Sequence, residues 1–133
     1  MPRTLSLAAS MPVDPELLFD MYLDSDRHAA FTGSPVTIGS KPGSPFQAFE
    51  GTLSGSILHT VPKRLIVQSW RSVNFAEGDI DSTLILSFWP IPDGARIELV
   101  HVNVPEADFA GVSEGWGKFY FAPWREYLET QSK

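Results

Sequence analysis

The sequence predicts an α+β domain in which a curved antiparallel sheet wraps around a long C-terminal helix. A first strand pattern is followed by two short helical patterns, then by five strand patterns joined by short turns, and an amphipathic helical pattern closes the chain. Strands that follow one another at this spacing pair as an antiparallel meander. A sheet with one apolar face needs a covering layer, and the last helix can supply it.

Length and composition are those of a globular protein. The 133 residues fit one domain, residues 1–133, and 43% of them are hydrophobic against 20% charged. The net charge of -6 and the lack of a basic stripe argue against nucleic-acid binding. No apolar run approaches the ~20 residues of a membrane span or the core of a secretory signal, so a cytoplasmic protein is expected. The chain has no cysteine, which excludes disulfides and thiolate metal sites.

The N-terminal part of the chain predicts one strand and two helices. Alternation over Arg3–Ser10 indicates the strand. Asp14 is the expected N-cap of the first helix, with Pro15 at its first position, where a missing N–H costs nothing. A second short helix is expected to begin with Ser25 as its cap. Residues 34–46, rich in Pro, Gly and Ser, are expected to form a loop.

Strand patterns separated by turn residues fill the middle of the chain. In the last of them, Ile97 and Leu99 share one side while Arg96 and Glu98 share the other, which predicts a sheet with one covered and one wet face. Residues 104–111 are expected to form a loop. The predicted strands are Phe46–Glu50, Leu53–Val61, Arg64–Val73, Ser82–Trp89 and Arg96–Asn103.

The closing segment, Ser113–Glu129, predicts an amphipathic helix with an aromatic face. Pro123 lacks an N–H, so a bend is expected there. The aromatic rings either form a dense core or hold helix and sheet apart and line a cavity, and the helical wheel does not distinguish the two. At ~100° per residue one arc of roughly 140° contains Trp116, Phe119, Tyr120, Pro123, Trp124 and Tyr127.

The three histidines are the first polar candidates. His28 lies in a polar helical stretch and is expected to face solvent. His101 shares its strand side with the inward residues Ile97 and Leu99, and the same parity argument points His59 inward. Both are expected to be hydrogen-bonded core residues or polar anchors for a ligand. Their spacing fits no metal site, and no nucleophile motif occurs, so neither a metal nor an enzyme is indicated.

Gln68 and Trp70 lie on the same side of their predicted strand as Ile66. An inward amide needs a hydrogen-bond partner, because a buried unpaired amide costs about 1–3 kcal/mol. If Gln68 and Trp70 converge with His101 and Tyr120, the four form an amphipathic pocket.

Motifs along the chain also occur in a characteristic order. Residues 51–70, GTLSGSILHTVPKRLIVQSW, combine a Gly-containing strand, a Pro-led turn, a basic pair and a strand that ends in Trp. ARIELVH is a strand that closes near His, and EGWGKFYFAPWREYLE begins the last helix with Gly-Trp. Together with FTGSP these motifs resemble the START-like domain of the activator of heat-shock protein 90 ATPase family. The resemblance runs from about Leu5 to Leu128 and implies the helix-grip fold.

The resemblance implies a non-catalytic domain without a cofactor. The family's activator is described as two domains, and this chain begins directly at the counterpart of the second, so a stand-alone START-like domain is expected. The wider superfamily implies that a hydrophobic or amphipathic small molecule binds between the sheet and the last helix. A module that contacts a heat-shock protein 90 chaperone is the alternative, and an enzyme of the superfamily the minor one. The candidate ligand-binding residues are Gln68, Trp70, His101, Trp116, Tyr120 and Phe31.

Overall fold

Residues 2–131, which the computed structural model describes, contain one antiparallel sheet of seven strands. The strands are β1 (Arg3–Met11), β2 (Val36–Thr37), β3 (Pro45–Ala48), β4 (Leu53–Val61), β5 (Leu65–Ser72), β6 (Ser82–Ile91) and β7 (Gly94–Val104). Their order across the sheet is β1-β7-β6-β5-β4-β3-β2, so every neighbour except the β1–β7 pair is adjacent in sequence. The predicted antiparallel meander is confirmed, and the short strand β2 lies in a stretch that was expected to be a loop.

The helices cover one face of this sheet. Helices α1 (Pro15–Leu23) and α2 (Ser25–Thr32) follow β1, and α1 packs on β6 and β7. The C-terminal helix comprises a 3₁₀ turn (Glu106–Asp108), α3 (Phe109–Gly115), a π-helical segment (Trp116–Phe121) and α4 (Ala122–Gln131). The α+β helix-grip architecture is therefore confirmed. Within residues 2–131, none of the helices combines the length and apolar character that a bilayer crossing requires.

Alternation along the strands sets the position of the core. In β6, Leu84, Leu86 and Phe88 are buried, whereas the residues between them are only half-buried. In β7, Ile97 and Leu99 are likewise buried. Complete burial of side chains of this size contributes about 1.5–3 kcal/mol each. The sheet thus has the predicted covered face, and the helices supply the cover.

The helix boundaries differ from the predicted ones at two places. Asp24, rather than Ser25, caps α2, because its side chain accepts hydrogen bonds from the backbone N–H groups of Asp26 and Arg27. The C-terminal helix begins at the Glu106–Asp108 turn, within the stretch that was expected to be a loop. Acidic side chains near a helix start are favoured by the helix dipole, so the sequence did carry a signal for this earlier start.

The π-helical segment changes the face that the C-terminal helix turns inward. Within it, the N–H of Ala122 donates to the carbonyl of Gly117, five residues earlier. The wheel assumed a uniform α-helix and placed Phe119 inward, but its side chain is 49% exposed while that of Phe121 is buried. The prediction for Phe119 was therefore wrong, and the irregularity of the helix lies in the turn before Pro123.

A β-bulge in β4 accounts for a second wrong prediction. The register between β4 and β5 shifts between Ile57, which pairs with Gln68, and His59, which pairs with Val67. Leu58 is the extra residue, and one extra residue reverses the alternation of the strand beyond it. Ile57 is buried as expected, but His59 is exposed on the outer face.

The close approach of β4 to β5 at Gly55 gives a stability prediction. A Cβ atom at this position would overlap the carbonyl oxygen of Ser69, so the backbone of one strand would have to move. We expect Gly55→Ala to lower the free energy of unfolding by about 1–3 kcal/mol, measured by urea denaturation. Gly78→Ala, where a Cβ meets no atom, is the control and should change stability by less than about 0.5 kcal/mol. Equal stability of the two variants would contradict the prediction.

Candidate functional site

A cavity of about 290 Å³ lies between the sheet and the N-terminal half of the C-terminal helix. One wall is formed by Phe49 and by the beginning of β4 and end of β5, and the opposite wall by α3 and the π-helical segment. Thr52, Ser72, Asn74 and Asp108 are its polar lining residues. The aromatic lining residues are Phe49, Trp70, Trp116, Phe119 and Tyr120.

The aromatic rings form a continuous wall. The ring centroids of Trp116 and Tyr120 are 4.7 Å apart, and those of Trp70 and Trp116 are 6.3 Å apart. Phe49 continues the row, at 6.0 Å from Tyr120 and 5.8 Å from Phe119. Beyond the cavity, Trp124 and Leu128 are buried and fill the groove. The sequence left open whether the aromatic rings form a dense core or line a cavity. Both occur along this one helix, the cavity beside its N-terminal half and the core beside Trp124 and Leu128.

His101 lies directly behind Trp70 and Trp116, and its hydrogen bonds define its tautomer. The indole N–H of Trp116 donates to His101 Nδ1 at 3.2 Å, so the ring proton is on Nε2. That Nε2–H donates to Ser82 Oγ at 2.7 Å, and the Ser82 hydroxyl donates to the carbonyl of Trp70 at 2.6 Å. Burial lowers the pKa of His101 to about 4. The neutral ring thus holds the two tryptophans that line the cavity.

His28 is completely buried, so the prediction that it faces solvent was wrong. Its Nδ1–H donates to the carbonyl of Tyr22 at 2.7 Å, and its Nε2 accepts from the hydroxyl of Tyr120 at 2.9 Å. The ring stacks on Phe31 with a centroid distance of 5.1 Å. Helix α2 packs against α4 and the π-helical segment, and this contact covers the histidine. Burial lowers the pKa of His28 to about 4.

Gln68 and two tyrosines extend this polar network. The hydroxyl of Tyr22 donates to Gln68 Oε1 at 2.6 Å, and Gln68 is fully buried on the same side of β5 as Ile66 and Trp70. Burial raises the pKa of Tyr22 and of Tyr120 above the ordinary value, so both hydroxyls stay protonated and act as donors. The network fixes the position of Tyr120, which is the residue that reaches the cavity.

The predicted site residues occupy three kinds of position. Trp70, Trp116 and Tyr120 line the cavity. His101 and Gln68 lie behind this layer and are hydrogen-bonded to Trp116 and Tyr22, respectively. Phe31 is buried away from the lining, stacked on Trp124 with a centroid distance of 4.2 Å and an interplanar angle of 4°.

Phe49 and Asp108 are two of the lining residues that the sequence analysis missed. Phe49 was placed in a strand, but it has a φ of 52° in the turn after β3, and no sequence signal marks a phenylalanine for this conformation. Asp108 was assigned to a loop, although the acidic run after Pro105 is typical of a helix start. Burial raises the pKa of its carboxyl group.

The family of the chain follows from a comparison with family models. Residues 12–129 match the model for "Activator of Hsp90 ATPase homolog 1-like protein". The chain belongs to this family. The human "Activator of 90 kDa heat shock protein ATPase homolog 1" is 26% identical over 117 residues, covering 88% of this chain and 34% of the human protein. The homolog from Dictyostelium discoideum is 28% identical over 117 residues, covering 86% of this chain and 30% of its own.

This member of the activator of Hsp90 ATPase homolog 1-like family spans about a third of the length of the curated relatives that it matches. Solved structures share its fold. An HSP90 activator from Plasmodium falciparum superposes with a TM-score of 0.81 at 22% identity, covering 90% of this chain and 91% of the other. The Aha1 dimer from Colwellia psychrerythraea gives a TM-score of 0.80 at 15% identity, covering 96% of each chain.

Proposed function

We propose that this chain is a non-catalytic binding module that holds a small hydrophobic or amphipathic molecule between the sheet and the C-terminal helix. The observation that carries the proposal is the cavity of about 290 Å³ with its five aromatic lining residues. Ligand sites in proteins typically have volumes of about 300–1,000 Å³ and mostly apolar walls. The volume favours a compact ligand over a long-chain lipid.

The predicted site residues have distinct roles in this proposal. Trp70, Trp116 and Tyr120 contact the ligand. His101 and Gln68 do not line the cavity and act from behind it. His101 accepts from the indole of Trp116, and Gln68 accepts from Tyr22, whose carbonyl accepts from His28, the partner of Tyr120. Phe31 supports the same layer from the side, with its ring centroid 6.2 Å from that of Tyr120.

A thermal-shift screen of compact amphipathic compounds tests the proposal. A ligand present at about 100 times its dissociation constant stabilises the folded state by about 2.7 kcal/mol, which is readily measured. Val112 is buried and lines the cavity, so Val112→Phe should fill the space and abolish the stabilisation by a hit compound. Val102→Phe, on the half-buried outer face of β7, is the matched control and should keep it. A hit that still stabilises Val112→Phe, or a screen without hits, would count against the pocket as a binding site.

We also propose a second candidate function, contact with a heat-shock protein 90 chaperone. The observation that favours it is the family match, since the curated relatives are named as activators of the chaperone's ATPase. Activation of another protein's ATPase also agrees with a non-catalytic domain. The test is a pull-down with the host's chaperone together with an ATPase assay. Absence of binding at tens of micromolar would refute this function, whereas binding without ATPase stimulation would restrict the domain to a docking role.

A further inference from the structure

The chemistry of the cavity indicates a class of ligand, an inference that rests on the proposed binding function. We propose that the cavity recognises an organic cation, an amine or quaternary ammonium group on a small apolar body. Asp108 is its counter-ion, and the rings around the cavity contact its positively charged face.

Among residues 2–131, no side chain or amide is bonded to the carboxylate of Asp108. Asp108 occupies the N-cap position of α3, yet its side chain accepts no hydrogen bond from the first amides of that helix. Within residues 2–131 no lysine or arginine forms an ion pair with it. The guanidinium of Arg3 instead lies over the ring of Phe109, 3.9 Å from its centroid. A negative charge that lines an apolar cavity without a partner favours a positively charged ligand.

The electrostatic state of Asp108 agrees with this assignment. Burial raises the pKa of its carboxyl group, which means that no neighbouring positive charge outweighs the loss of solvent. A bound cation would provide that charge and replace the lost hydration. An anionic ligand would be repelled by Asp108 and by the net charge of -6 on the whole chain.

The aromatic lining supports the same class of ligand. The faces of aromatic rings carry negative partial charge and attract ammonium groups that lie within about 6 Å of the ring centroid. Here Phe49, Trp116 and Tyr120 form adjacent walls, and the half-exposed ring of Phe119 lies at the mouth. A purely apolar ligand would make use of the rings but would leave the partly desolvated charge of Asp108 without a counter-ion.

Binding of choline and its neutral carbon isostere, in which a tert-butyl group replaces trimethylammonium, tests the proposal. The two molecules have the same shape and differ in charge. We expect choline to bind at least about tenfold more tightly, measured from the indole N–H resonances of Trp70 and Trp116 during titration. Benzyltrimethylammonium, which carries a larger apolar body, should bind in the same place.

Matched variants then test Asp108 itself. Asp108→Asn removes the charge at constant shape and should weaken choline binding about tenfold while leaving the neutral isostere unchanged. Glu114→Gln is the control, because Glu114 is an exposed acid on the same helix that does not line the cavity. Phe119→Leu keeps apolar bulk at the mouth but removes a ring face, and should also reduce the preference for the cation. Because Phe119 is half-exposed, this variant stays informative even if Asp108→Asn does not fold.

The outcomes separate this inference from the function on which it rests. Equal binding of choline and its neutral isostere, or an unchanged preference in both Asp108→Asn and Phe119→Leu, would overturn the cation assignment and leave a pocket for neutral ligands. If none of these probes binds and the thermal-shift screen gives no hit, both the cation assignment and the proposed binding function would be overturned. Loss of the cation preference in the two variants but not in Glu114→Gln would establish the assignment.

Discussion

Replacement of Trp116 by alanine should lower the free energy of unfolding by about 3–5 kcal/mol. The side chain is only 3% exposed and packs against the rings of Trp70, Tyr120 and Phe121. Its removal enlarges the neighbouring cavity and also takes away the donor to His101 Nδ1, a buried acceptor. Loss of a buried hydrogen-bond partner costs about 1–3 kcal/mol and is included in the expected range.

Urea denaturation monitored by circular dichroism measures this loss. Trp89→Ala is the matched control, because Trp89 is 49% exposed and its removal should cost only about 1 kcal/mol. Trp116→Phe should give an intermediate value, since it retains a ring but not the indole donor. A loss near 1 kcal/mol for Trp116→Ala would mean that the ring borders open space on most sides and contributes little packing.

Acidification should destabilise the protein by up to about 3 kcal/mol for each of the two buried histidines, His28 and His101. Burial lowers the pKa of each ring from 6.5 to about 4 in the folded state. Between these values the unfolded chain binds protons that the folded chain does not. Stability is therefore constant above about pH 6.5, falls as the pH is lowered through this window, and levels off below the folded-state pKa.

The hydrogen bonds explain why a proton disturbs His101 in particular. Both of its ring nitrogens are engaged, and Nδ1 accepts from the indole N–H of Trp116. Protonation would place two N–H groups against each other at 3.2 Å. His28 donates to a carbonyl and accepts from the hydroxyl of Tyr120. Because that hydroxyl can turn and accept from a protonated ring, the cost of protonating His28 comes from desolvation of the charge.

Urea unfolding at a series of pH values between about 7 and 4 tests this dependence. His28→Gln and His101→Gln should each flatten the curve, whereas His59→Gln, at an exposed position, leaves the buried networks intact. The raised pKa of Asp108 acts in the opposite sense, because its folded form gains a proton more readily, but its carboxyl group is largely solvated. A stability profile without slope between pH 6.5 and 4.5 would contradict the prediction.

Strand alternation made much of the fold and part of the site predictable. Parity placed His101 inward and put Gln68 and Trp70 on one side of their strand, and β4 has the predicted bounds. Parity failed at His59 because a bulge adds one residue, and sequence alternation does not reveal a bulge before the partner strand is known. His28 could not be placed from its own polar helix, since its burial depends on the packing of α2 against α4.

The aromatic face of the last helix was predictable as a set but not residue by residue. Trp116, Tyr120 and Trp124 are buried as the wheel predicted, since a π-helical insertion rotates the face without removing it. The same insertion turns the side chain of Phe119 toward solvent, where it is half-exposed. The sequence alone did not decide between a cavity and a filled core. It indicates which rings face the sheet, but the distance between the backbones of the helix and the sheet determines whether those rings contact the sheet.

The π-helical segment has a consequence for the rim of the cavity. In a uniform α-helix Phe119 would share the inward arc with Trp116 and Tyr120, and its ring would point at the sheet. One additional backbone residue in the turn instead directs that ring to the rim. The position of Phe119 at the rim of the cavity therefore follows from the phase of the backbone and not from the size of a side chain.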